Sequence, residues 1–308
     1  MASIISVDKL TKRYGASRGV DNVSFEVVEG EVFGFLGPNG AGKTTTIRTL
    51  LGLLRPTSGG ATIAGLDCWA QSTAVKRLVG YLPGEFTLDP ALTGAQILAY
   101  LGYLRGGVDL GYVTKLVERL ELDPSKRFRD YSRGNKQKVG LVQAFMHRPR
   151  LLIMDEPTSG LDPLNQQEFY HLLAEAKASG STAFLSSHNL AEVEHTCDRV
   201  GIIREGQLAN VDAVHTLKDI QHHEVDLTFP STATASADWF NGLPGVREVS
   251  VNNGGRGLRL TVQGDLSAVL QAAAQHGAVN LSTREPSLEE IFLRYYAPEV
   301  AAVAPING

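Results

Sequence analysis

No stretch of this 308-residue sequence approaches the roughly 18 consecutive apolar residues that a membrane-crossing helix needs. The opening residues, MASIISVDKLTKRYG, lack the apolar run behind a basic flank that marks a secretory signal. The chain is therefore expected to be soluble by itself, which leaves docking onto a membrane partner open. Cysteine is nearly absent. Cys68 and Cys197 are far apart and fit no metal-ligand spacing, so they read as buried thiols of a reducing compartment. No charge of one sign dominates: the formal net charge is −4, spread along the chain, and nothing argues for nucleic acid as a partner. Internal repeats and low-complexity tracts are missing too. What remains, 43% hydrophobic and 20% charged, is a globular composition with room for one large domain and one small.

Residues 3–8 and 22–28 alternate apolar and polar side chains, as strands of an antiparallel edge sheet do. "EVFGFLG", 31–37, is an apolar run ending in glycine and suits a buried strand. "KTTTIRTLLGLL" has helical spacing and stops near the turn cluster "RPTSGG". Residues 93–149 read as mainly helical, broken at Gly106-Gly107 and Asp123-Pro124. From 151 the pattern alternates: "LLIMD", a helix over about 163–179, "STAFLSS", a helix from 189, and "RVGIIREG". Such alternation predicts a mostly parallel sheet with helices on its faces. A second unit begins near 219. "EVDLTF", "GVREVSV", "GLRLTV" and "AVNLSTRE" are its strand candidates, with "SADWF" and "LSAVLQAAAQHG" as helices between them, an order close to a split βαβ. "SLEEIFLRYY" is a last helix with Ser287 as N-cap, and the tail after 297 is loose.

"GPNGAGKTT", 37–45, follows a predicted strand and opens a predicted helix, the context a phosphate-binding loop requires. Its glycines let successive N–H groups turn toward an anion, and the helix N-terminus adds positive character. Asn39, Gly40, Ala41, Gly42, Lys43, Thr44 and Thr45 form the candidate nucleotide cradle. Lys43 reaches the β- and γ-phosphates, and the Thr44 hydroxyl ligates Mg²⁺. "LLIMDEPTSGLD", 151–162, is an apolar strand ending in two carboxylates, placed where an α/β sheet presents ligand groups. Asp155 is the candidate Mg²⁺ ligand, and Glu156 the group that polarises an attacking water.

With these segments the chain resembles the ATP-binding cassette (ABC) ATPases, from about residue 3 to 218. "YSRGNKQKVGL", 131–141, looks like that family's signature segment, "TSGLD" like its D-loop, and "LSSHNLAEVEHTCDRV", 185–200, like its switch-histidine region. The resemblance implies a P-loop NTPase of ABC type: a mixed core sheet with helices, an antiparallel edge sheet and a helical subdomain at about 85–150. The expected domains are then 1–218 and a small α+β domain at 219–297, followed by a flexible tail at 298–308. It further implies that Tyr14 stacks on adenine, that His188 contacts and senses the γ-phosphate, and that two chains sandwich two ATPs head to tail. Ser132, Gly134 and the D-loop Asp162 then serve the partner's nucleotide.

Two departures stand out. The usual signature Leu-Ser-Gly-Gly-Gln is Tyr131-Ser132-Arg133-Gly134-Asn135 here, so Arg133 either adds a cation near the opposing nucleotide or faces solvent. The family's glutamine, a Mg²⁺ ligand after the strand near 82, is replaced by Gly84. Either Glu85 takes over as a Mg²⁺ ligand or water does. Among members, the closest resemblance is to ATPase subunits of ABC-2 type exporters of drugs, antibiotics or lipids. That implies a separately encoded permease, a place on the cytoplasmic face of the membrane, and a groove in the helical subdomain for a permease helix, lined by Phe86, Leu88, Tyr100 and Tyr103. The alternative is a soluble cassette acting on ribosomes, although a charged linker and second cassette are lacking. A chromosome-type cassette would need long heptad insertions, which are also lacking.

Overall fold

The computed structural model describes residues 2–15, 17–215, 223–230, 235–252 and 256–284. The chain divides into two compact units, Met1–Asp212 and Ala213–Gly308. The expected boundary at 218/219 lies outside the described residues.

The first unit holds two sheets. Strands β1 (Ser3–Tyr14), β2 (Ser17–Val28), β4 (Ser58–Ile63) and β5 (Leu66–Asp67) form the edge sheet in the order β2-β1-β4-β5. β1 and β2 are longer than the alternating segments predict. Lys9 (φ 46°) and Asn22 (φ 53°) are left-handed, and the β1–β2 register slips between Val7 and Leu10 and again between Leu10 and Lys12. A bulge shifts which side chains face inward, so the period of two is lost while the strand continues.

The core sheet runs β10-β9-β3-β8-β7-β6, with β3 at Val32–Leu36, β6 at Val79–Leu82, β7 at Leu151–Asp155, β8 at Thr182–Ser187, β9 at Arg199–Arg204 and β10 at Gln207–Ala213. β9, β3, β8, β7 and β6 pair in parallel. β3, β7 and β8 are buried along their whole length, which explains their unbroken apolar runs. Phe25 of β2 stacks on Phe33 of β3 and Phe184 of β8 at 5.5 and 5.9 Å, so this ring cluster binds the edge sheet to the core sheet. β6 closes the sheet, and its outward carbonyls are occupied: Arg105 donates to Val79 O at 3.0 Å and Gln143 to Tyr81 O.

Seven helices of this unit are described: α1 (Lys43–Leu50), α2 (Ser72–Leu78), α3 (Gly94–Leu104), α4 (Leu110–Arg119), α5 (Arg133–Phe145), α6 (Pro163–Ala178) and α7 (Leu190–Thr196). α3 starts in a capping box made by Thr93 and Gln96, and left-handed Gly106 and Gly107 follow its end. The pieces β4, β5 and α2 lay in a stretch whose turn residues hid them.

In the second unit, β11 (His223–Thr228), β12 (Val246–Asn252), β13 (Gly257–Val262) and β14 (Asn280–Arg284) form an antiparallel sheet in the order β12-β13-β11-β14. β13 lies between β11 and β12, the arrangement of a split βαβ. Val225, Leu227, Leu258, Leu260 and Val262 bury one face, together with Val269, Ala272 and Ala273 of the helix Ser267–Gln275. The first expected helix, "SADWF", is only a 3-10 turn at Ala237–Trp239. "SLEEIFLRYY" and the tail lie outside the described residues.

Candidate active site

The strand order sets β3, β8 and β7 side by side, so the loops after their C-terminal ends converge. After β3, Gly40 and Gly42 adopt φ of 82° and 110°. A Cβ on Gly42 would lie 2.6 Å from Val20 Cγ1 and 2.8 Å from Gly19 O, so this turn tolerates only glycine. Lys43 is buried at 5% exposure. Its ammonium donates to Gly37 O at 2.5 Å and lies 3.1 Å from Glu156 Oε1.

Thr44 Oγ1 donates to Asp155 Oδ2 at 2.8 Å, and Ser186 Oγ donates to Asp155 Oδ1 at 2.5 Å. One hydroxyl and one carboxylate of hard oxygen sit together beside the phosphate loop. Among the described residues no group of three or more His, Cys, Asp or Glu could cage an ion. This donor set fits Mg²⁺, which takes one or two protein oxygens and completes its shell with phosphate and water.

Glu156 is left-handed, with φ 53°, a conformation costly for a residue with a side chain. Its N–H is held by Ser186, at 3.2 Å from both the carbonyl and the hydroxyl. The carboxylate lies between two nitrogens: Lys43 Nζ at 3.1 Å from Oε1 and His188 Nδ1 at 2.6 Å from Oε2. The ends of β7 and β8 thus bring Glu156 and His188 together.

Tyr14 ends β1, half exposed, and lines a cleft of about 290 Å³ with Asn39, Gly40, Gly42, Lys43, Thr44 and Thr45. Asp155 and Glu156 line it too. Ala41 is buried, and its carbonyl accepts from Gly206 N. Gly19, which no sequence signal marks, also lines the cleft. A Cβ there would meet Tyr14 Cε2 at 2.8 Å, so its bareness makes room for the ring. Lys12 Nζ sits 5.5 Å from the centre of the same ring.

Gly84 lines the cleft as well, and a Cβ on it would lie 3.4 Å from Asp155 Oδ2. Glu85 does not join this group. It is exposed and lines a separate groove with Phe86 and Leu88. Tyr100 and Tyr103, at 59% and 80% exposure, are not part of that groove's lining.

Ser132, Gly134 and Asp162 are not among the residues lining the cleft of their own chain. Ser132 caps α5 by accepting from Asn135 N at 3.2 Å, and Asp162 caps α6 by accepting from Asn165 N at 3.0 Å. Gly134 passes so close to the D-loop that a Cβ would lie 2.5 Å from Gly160 O. Arg133 is exposed, and on the surface its Nη2 donates to Ser159 Oγ at 2.7 Å. Gln137 Nε2 adds a bond to Pro157 O at 3.0 Å. The start of α5 is thereby tied to the segment after Glu156.

A family model described as "ABC transporter" matches residues 20–159. The linearmycin resistance ATP-binding protein LnrL of Bacillus subtilis is 32% identical over 311 residues, covering 94% of this chain and 97% of that protein. The chain belongs to the ABC transporter ATP-binding proteins. Residues 205–296 of this cassette protein match a second family model, "ATP-binding protein DrrA1-3-like, C-terminal domain". The bacitracin transport ATP-binding protein BcrA of Bacillus licheniformis is 41% identical over 212 residues, 68% of this chain and 69% of that protein. Among solved structures, an ATP-binding subunit of an ABC transporter superposes with a TM-score of 0.66 at 32% identity, covering 70% of this chain and 92% of that one. The cassette is an ATP-binding and ATP-hydrolysing subunit of a transporter. Among its described residues no helix is long and apolar enough to cross a membrane.

Proposed function

We propose that this cassette drives the export of antibiotics, drugs or lipids through a separately encoded ABC-2 type permease, from the cytoplasmic face of the membrane. Relatives named for bacitracin transport and linearmycin resistance support the cargo class. The site works as a pair of copies set head to tail, because the signature residues Ser132 and Gly134 stand apart from the cleft of their own chain. ATP enters with adenine on Tyr14 and its phosphates on the N–H groups of the loop from Asn39 to Thr45. Thr44 and Asp155 would hold Mg²⁺. The γ-phosphate draws Lys43 and His188 to itself, and Glu156 is then free to polarise the attacking water.

The observation that carries the permease partner is the groove of about 1260 Å³ beside β6. Its lining includes Phe86, Leu88, Leu101 and Leu104, with Lys76 and Arg77. An amphipathic helix with an acidic side chain matches that surface. Phe86→Asp is expected to abolish co-purification with the permease from detergent while ATP binding persists. A complex that survives this change would send the search for the docking surface elsewhere.

A further inference from the structure

His188 stands on an exposed turn, its side chain 58% accessible. Beneath that turn lies an acid with no role in the site as described so far. Glu192 of α7 is 1% exposed. Its Oε2 accepts from Ser187 Oγ at 2.5 Å, and Ser187 immediately precedes His188. The same hydroxyl accepts from Asn189 N at 2.9 Å, on the other side of the histidine. Thr158, two residues after Glu156, turns its side chain to the same carboxyl. Glu192 is therefore hydrogen-bonded to the turn that carries His188 and lies beside the segment that follows Glu156. Packing does not explain the choice of side chain, because Glu192 Oε1 is enclosed without a hydrogen-bond partner among the described residues. Such an atom costs stability that an apolar residue would not.

We infer that Glu192 is a positioning residue for hydrolysis: it ties the Ser187–Asn189 turn to the Thr158 segment and so sets the distance between His188 and Glu156. The inference rests on the reading of His188 as the γ-phosphate contact. Burial pushes the Glu192 carboxyl up to about 7, and glutamine matches its neutral form in shape and in its acceptor oxygen.

Steady-state phosphate release is measured on the full chain assembled with its membrane subunit. Glu192→Ala is expected to lower kcat about tenfold while KM for ATP stays within about twofold, because misplacing a reacting group by a fraction of an ångström costs rate before binding. Glu192→Gln restores most of the rate. Ser187→Ala shows a comparable fall, and adding it to Glu192→Ala causes little further loss. Unchanged kcat in Glu192→Ala beside an inactive His188→Ala overturns the inference and leaves His188 in place. An active His188→Ala instead overturns the reading of the site, and the inference with it. Should Glu192→Ala fail to fold, Ser187→Ala decides: a lower kcat at unchanged Tm supports the tie, and an unchanged kcat overturns it.

Discussion

Gly84 and Glu85 show how one position of difference changes the chemistry. Gly84 faces Asp155, whereas Glu85 faces the groove. Glu85→Ala is therefore expected to leave the Mg²⁺ concentration for half-maximal hydrolysis unchanged. Gly84→Gln, which returns an oxygen ligand beside Asp155, is expected to lower it, and a Mg²⁺ titration of phosphate release checks both. Glu192 carries a pH signature of its own. Burial, with Glu156 nearby, raises its carboxyl from 4.5 to about 7, while Ser187, Thr158 and His188 act the other way. Tyr170 and Cys197 also feel its charge. The folded protein holds this proton where the unfolded chain has lost it, so the contribution is intact below about pH 4.5 and is lost as pH rises through about 7. Glu192→Gln is expected to raise Tm over wild type at about pH 8 and to do so much less at about pH 5, with an upper bound near 3 kcal/mol. Paired melts at the two pH values test this.

Elements, not single residues, explain Arg133. At the start of α5 it reaches the D-loop of its own chain, and Gly134 meets Gly160 with no room for a side chain. An exposed bond of this kind contributes about 1 kcal/mol or less, so Arg133→Gly should barely shift Tm. Amide exchange at Ser159–Leu161 should still quicken by up to about fivefold, the equivalent of that 1 kcal/mol. Unchanged protection there would show that Gln137 alone holds the loop. The same scale explains which elements were legible. The buried strands β3, β7 and β8 were plain as apolar runs, since each is covered on both faces. The ends of β1 and β2 were not, because bulges at Lys9 and Asn22 interrupt their alternation. β4 was hidden by "SGG", whose composition resembles a turn although it pairs with β1 from Ile5 to Asp8.

For the whole molecule, each compact unit has its own buried core, and the candidate nucleotide cleft is lined by residues of the first unit alone. Removing residues 219–308 is therefore expected to leave ATP affinity within about twofold of the full chain. Calorimetric titration of the truncated protein checks this, and a large loss of affinity would assign the second unit a part in the cleft.

The sequence by itself determined the glycine-rich loop after β3, because its turn is made by the backbone of contiguous residues around Gly40, Gly42 and Lys43. It also determined the identity of the two carboxylates after β7, and the motif order that reveals an ABC ATPase. Only the tertiary structure decided which groups meet. Thr44 and Asp155 are 111 residues apart and Glu156 and His188 are 32 apart; the strand order β3-β8-β7 brings each pair into hydrogen-bond range. Gly19 beneath Tyr14, Arg133 on Ser159 and Glu192 under the histidine turn belong to the same class. A hydrogen bond depends on ångström-scale placement, and across such separations that placement comes from packing rather than from any local run of residues.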